Sequence, residues 1–162
     1  KVFLKFSAVH LLSSHRHGIP LAPWSAARIR AAMHEDCGPC TQLVCNMALE
    51  EGVDPDVIAA VVTADLNALD TETALTAQFT EWVLAHDPAA DVLREQIRRR
   101  WGEAGLISLA LTISATRVYP SVKYALGHGQ GCSRVKVSQH SVAPSYYASK
   151  TQGASSSSAA SV

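Results

Sequence analysis

The sequence predicts an all-α, single-domain bundle of about seven helices, and three observations lead there. Among its 162 residues are 25 alanines and few β-branched clusters, a composition that favours helix. Apolar residues recur at three- and four-residue spacing along most of the chain. Asp54-Pro55, Asp70 and Asp87-Pro88 place a capping carboxylate, twice with proline behind it, where helices begin. The length suits one domain with a real core.

The elements follow in order. Val2, Phe3, Phe6, Val9 and Leu12 lie at helical spacing and predict an amphipathic helix over 2–12. Ser13 to Pro20, with Gly18, reads as a loop. Pro23 opens a second helix, through Glu35, that carries Arg28 and Arg30. Asp36 is the expected N-cap of a third, which stops at Gly52. Asp54-Pro55 starts a fourth, and Val57, Ile58, Val61, Val62, Leu66 and Leu69 continue it. Asp70 opens a fifth, with Leu75, Phe79, Trp82 and Val83, and Asp87-Pro88 a sixth, to Trp101.

Residues 104–118 are apolar nearly all round (Leu106, Ile107, Leu109, Leu111, Ile113, Val118), as expected of a central or subunit-interface helix. Pro120 is expected to start a short helix to Gly127. The glycine-rich turn Gly127–Gly131, Cys132 and one strand-like stretch come next. Residues 1–135 are the expected helical domain. Residues 136–162 are a C-terminal extension whose Ser/Ala-rich end, from Ser149, is expected to be disordered.

Fourteen basic residues balance fourteen acidic ones, which argues against nucleic acid as a partner. No apolar run reaches the roughly 18 residues of a membrane span. The first 34 residues lack Asp and Glu, but their helical pattern runs into the next segment and reads as folded. Three of the four cysteines (Cys37, Cys40, Cys45, Cys132) fall within nine residues, unlike a disulfide framework. With no secretory pattern at the start, the expected location is cytoplasmic.

The informative stretch is Cys37-Gly38-Pro39-Cys40. Residues three apart share a helix face, so the two sulfurs can meet and form a small disulfide ring. The first turn also has free N–H groups and the positive dipole end, which lower a thiol pKa from about 8.5 to roughly 3.5–7.5. Such a pair can attack a peroxide or disulfide and resolve internally. Which cysteine attacks first is open; proximity to the helix end slightly favours Cys37. Gly-Pro is the thioredoxin spelling, but thioredoxins place the motif after a buried strand, and here residues 24–35 read as helix.

At these residues the chain resembles the alkylhydroperoxidase D-like, or carboxymuconolactone decarboxylase-like, superfamily. The resemblance rests on Cys37-Gly-Pro-Cys40-Thr-Gln-Leu, Gly52, the restart at Asp54-Pro55, and Trp101-Gly-Glu through Arg117-Val-Tyr-Pro120 and Lys123 to Gly127. It covers roughly residues 20–130. It implies an AhpD-like helical fold over 1–135, a peroxidase or disulfide reductase working through a Cys37/Cys40 redox pair, and a homo-oligomer (dimer, trimer or hexamer) assembled through apolar helices. Its partners would be a small peroxide or disulfide and an external thiol reductant, with no cofactor. In the best-understood members of that superfamily, a His four residues after the second Cys and a Glu about twelve before the first relay the proton. Position 44 here is Val and position 25 is Ser.

His34 is the candidate replacement, because imidazole exchanges protons near neutral pH; the alternative is a helix-end residue satisfying carbonyls. Glu35 reads as solvated, and Gln42 follows the pair. Cys45 reads as a buried hydrophobe and Cys132 as packing or a residue facing the site. A zinc site on His34, Cys37 and Cys40 lacks a second pair of ligands. His15-Arg16-His17 and Arg98-Arg99-Arg100 read as surface, and Gly127–Gly131 lacks the Lys-Ser/Thr of a phosphate loop. Two other functions compete: a decarboxylase-like lyase, and a non-enzymatic scaffold whose cysteines sense redox state.

Overall fold

The computed structural model describes residues 2–145, with side chains from Phe6 onward. It is mostly helical, as the composition predicts. In chain order come α1 (Val2–Ser13), α2 (Leu21–His34), α3 (Gly38–Glu50), α4 (Pro55–Thr63), a 3-10 turn (Leu66–Ala68), α5 (Thr71–Leu84), α6 (Ala90–Ala125), β1 (Val135–Val137) and β2 (His140–Val142). The Ser/Ala tail expected from Ser149 lies outside the described residues.

The central element is α2, on which α3, α4, α5 and α6 all pack. Every residue from Pro23 to Met33 is buried. Alanines 26, 27, 31 and 32 allow neighbouring helices close on several sides. Ile29, Met33, Cys45, Ile58, Val61, Val62, Val135 and Val137 form one core on one flank. Trp24, Phe79, Leu93, Ile97, Leu109 and Ile113 form the other. The apolar stretch 104–118, expected to be central or to lie in a subunit interface, is buried on one face within this chain; Leu109 and Ile113 are inside and Ile107 outside.

Of the two arginines inside α2, Arg30 is held by its neighbours. Arg30 places Nε 2.7 Å and Nη2 2.6 Å from Glu81 Oε1, while Nη1 donates to the carbonyls of Val61 (2.9 Å) and Ser145 (2.8 Å). Removing one partner of such a buried pair costs about 3–5 kcal/mol. Burial holds the Glu81 carboxyl above its usual range despite Arg30.

Side-chain caps close the starts of α4 and α5, whereas α2, α3 and α6 begin without one. Asp54 accepts from Asp56 N (2.8 Å), and Asp70 from Glu72 N (2.9 Å), Thr73 N (3.0 Å) and the Thr73 hydroxyl (2.6 Å). Gly52, at φ 96°, ends α3. The fourth helix is shorter than its apolar pattern suggests. It stops at Thr63, with Ala64 left-handed at φ 60°. The carbonyls of its last turn are taken elsewhere, Val61 by Arg30 and Val62 by Ser145 N (3.0 Å). Asp65 then caps the 3-10 turn through Asn67 N.

The break expected between the helices at 87–101 and 104–118 is present: α6 is two helices joined at a kink where Gly102 leaves the helical region (φ 71°, ψ −176°), whereas the stretch expected as a separate helix at 120–127 continues the second of them. Pro120 lies inside it and starts nothing. The strand-like stretch is an antiparallel hairpin with Val135 opposite Val142 and Val137 opposite His140. The Gln42 side chain pairs with β1 like a neighbouring strand: its Nε2 donates to Lys136 O and its Oε1 accepts from Lys136 N, both at 2.8 Å. The hairpin is thereby fastened to α3. In α1, Phe6 meets Tyr119 edge-on at 5.1 Å, but Leu12 is exposed, contrary to its place in the apolar pattern.

Candidate functional site

The cysteine pair sits where α3 begins, but Asp36 is not its cap. Cys37 itself holds the N-cap position (φ −105°, ψ 97°), so Cys40 is the third helical residue. Asp36 is left-handed at φ 48° and serves a different purpose. Its carboxylate accepts from Cys132 N at 2.8 Å, and its carbonyl accepts from the Tyr124 hydroxyl at 2.7 Å. These contacts, with Gly38 N donating to Gln130 O (2.9 Å), seat the glycine-rich turn on the helix start. Two of the turn's glycines have a local reason: Gly127 is left-handed at φ 79°, and a Cβ on Gly129 would stand 2.1 Å from a Tyr124 ring carbon.

Cys37 and Cys40 lie at disulfide distance, with Cα atoms 5.3 Å apart. Their surroundings differ. Cys37 is fully buried, and its carbonyl accepts from both Thr41 N (2.9 Å) and the Thr41 hydroxyl (3.0 Å). Cys40 is half-buried and opens into a cleft of about 370 Å³ between α1, α2, α3 and α6. That volume is within the range of small-molecule sites. The lining is mainly apolar: Phe6, Leu43, Val44, Met47, Tyr119 and Val122 beside Cys40. Incoming reagents therefore meet Cys40 first.

The proton-transfer candidates fare unevenly. His34, at the end of α2, is exposed; its Nδ1 lies 3.9 Å from Glu35 Oε1, and it is not part of the cleft wall. Glu35, read from sequence as solvated, instead pairs with Arg117 Nε and accepts from Ser121 Oγ (3.3 Å), because the third turn from the end of α6 reaches back over it. Val44 lines the cleft, and Ser25 is buried with no hydrogen-bond partner for its Oγ among the described residues. The imidazole in the cleft wall is that of His10, from α1. Its residue lies thirty positions from Cys40, so no local spacing marks it.

Arg28 also lines the cleft, and nothing in the sequence singles it out except a charge within an alanine-rich apolar helix. Its guanidinium stacks 4.5 Å from the Trp24 ring centroid, one turn away on α2. Burial pulls its pKa below the usual arginine value, against the pull of Glu51.

Cys45 is fully buried, and burial, with Cys132 nearby, pushes its thiol up to about 12. Cys132 is half-buried. Burial raises its pKa too, a hydrogen bond with the Thr41 hydroxyl opposes this, and Asp36 adds to it. Neither thiol matches the setting of an activated nucleophile. Among the described residues no three His, Cys, Asp or Glu side chains are grouped to hold a metal ion, and no helix is long and apolar enough to cross a membrane. The Arg98–Arg100 run lies on the surface, paired with Glu95, Glu103 and Glu72.

No protein-family model matches the chain, and no curated protein or solved structure matches it.

Proposed function

We propose that this chain is a thiol-dependent oxidoreductase of the AhpD-like kind, reducing a hydroperoxide or disulfide with the Cys37/Cys40 pair. One observation carries the reading: at one helix start, a buried sulfur lies at bonding distance from a second sulfur that faces an apolar cleft. In the reduced protein the N-terminal turn of α3 favours the Cys40 thiolate. That thiolate attacks one oxygen of the peroxide. The O–O bond breaks, the other oxygen leaves with the electron pair and takes up a proton as the alcohol, and Cys40 becomes a sulfenic acid. Cys37 then attacks the Cys40 sulfur; an S–S bond forms and the hydroxyl leaves, with a proton, as water. The substrate has gained two electrons and the pair has lost two. An external thiol reductant returns them by disulfide exchange and is itself oxidised.

The same reading carries a homo-oligomer and a cytoplasmic setting. Support for assembly comes from the exposed apolar side chains Leu11, Leu12, Leu43, Tyr124 and Leu126. A second reading, a redox-sensing scaffold, draws on Val44, which gives the cleft an apolar wall where the best-understood members of the resembled superfamily carry a proton-relaying histidine. The test is mass spectrometry of reduced protein after one equivalent of an organic hydroperoxide. The 37–40 peptide should lose two hydrogens, and Cys37→Ser should stop with one added oxygen on Cys40. Repeated turnover with a dithiol separates catalyst from sensor. Two free thiols surviving beside consumed or unconsumed peroxide would refute both.

A further inference from the structure

We infer that the cleft beside Cys40 binds an amphiphile with an apolar chain and a carboxylate, and that Arg28 receives the carboxylate. This deepens the redox reading by naming its substrate class, an apolar carboxylic acid that carries the hydroperoxide or disulfide, and for the reaction itself it rests on that reading.

Arg28 is 5% exposed and lines the cleft, yet its guanidinium has poor acceptors. Nη2 donates to the Met47 thioether sulfur at 3.3 Å, a weak acceptor. The nearest carboxylate oxygen, Glu51 Oε1, stands 3.7 Å from Nη1, beyond hydrogen-bond reach, on a half-exposed side chain. Nε is buried with no hydrogen-bond partner among the described residues. A buried cation left this way gains from an anion that can accept two N–H bonds at once, which is the geometry of a carboxylate.

The rest of the wall selects for the same ligand. Among the described residues no Asp or Glu lines the cleft, and Lys123 adds a second positive charge. The remaining surface is mainly apolar, so a bare inorganic anion would leave most of it unused, whereas an alkyl chain covers it. With its head on Arg28, such a ligand runs its chain along the wall that includes the Cys40 sulfur.

The experiment uses the reduced full-length chain at pH 8 and two unreactive probes of equal chain length, decanoate and 1-decanol. Each displaces a fluorescent apolar reporter. Decanoate is expected to bind about tenfold or more tightly than the alcohol. It should also slow alkylation of Cys40 while leaving Cys132 unaffected. Arg28→Met should abolish the preference, and Lys123→Met should keep most of it. Equal binding of the two probes, or decanoate binding that leaves Cys40 unprotected, would overturn the inference on native protein even where Arg28→Met fails to fold. The Cys37→Ser/Cys40→Ser double variant separates the two proposals. A preference retained there, alongside no peroxide-driven ring closure in the native chain, refutes the redox reading alone. Ring closure without any preference refutes the carboxylate site alone.

Discussion

Replacing Gly38 by alanine should destabilise the protein, although alanine is the better helix former. A Cβ at position 38 would stand 2.8 Å from Gly131 O and 3.4 Å from Cys132 Cα. Both atoms are backbone, so no side chain can swing aside. If the turn lifts, the bonds from Gly38 N to Gln130 O and from Cys132 N to Asp36 Oδ1 weaken, at about 0.5–1.5 kcal/mol each. If it stays, overpacking costs about 1–3 kcal/mol. Helix propensity returns up to about 1 kcal/mol in either case. The expected net loss lies within about 0–3 kcal/mol and is centred on about 1–2 kcal/mol, or roughly 2–8 °C in Tm for a chain of this size. Urea unfolding of the oxidised protein at pH 7 measures it. Hydrogen exchange should also quicken at the amides of residues 38 and 132. Stability equal to or above wild type, with unchanged exchange, would show that the turn is not seated on the helix start.

Asp70→Ala removes a cap accepting three hydrogen bonds and should cost about 1 kcal/mol at pH 7. Partial burial works against ionisation there, but the bonds from Thr73 and Glu72 outweigh it and hold the carboxyl below its usual range. A depressed folded pKa contributes stability above the unfolded value, near 3.9, and loses it as pH falls through the folded one; the wild-type advantage in denaturant melts should therefore narrow below about pH 4. Cys45, with its thiol near 12, should alkylate roughly a thousandfold more slowly at pH 8 than an unhindered thiol, as followed by peptide mass mapping. Arg30→Met should cost about 3–5 kcal/mol in urea melts by stranding Glu81, and adding Glu81→Gln should recover part of the loss.

Much of the helical framework was legible because it depends on local rules. Asp54 and Asp70 cap the helices they precede, and Gly52 ends α3 as its place after an apolar run suggests. The proximity of Cys37 and Cys40 followed from three-residue spacing at a helix start. What escaped depends on contacts between distant segments. Asp36 looks like a cap, but its carboxylate is claimed by Cys132, 96 positions on. Glu35 looks solvated until α6 brings Arg117 and Ser121 over it. α4 ends early because its last carbonyls serve Arg30 and Ser145. The cleft itself is made by four helices, so Arg28, His10 and Lys123 meet there with no shared local signature. The central position of α2 was hidden for another reason: its alanines bury little area each, and their contribution is the closeness they permit.

Titrating the thiols of the reduced protein one by one, by pH-dependent alkylation with mass mapping, bears most directly on the chemistry assigned to Cys40. The expected result is a Cys40 thiolate formed well below pH 8.5 and modified ahead of Cys37, because only Cys40 faces the cleft. Cysteines 37 and 40 that both ionise at 8.5 or above, or a Cys37 that reacts first, would contradict it.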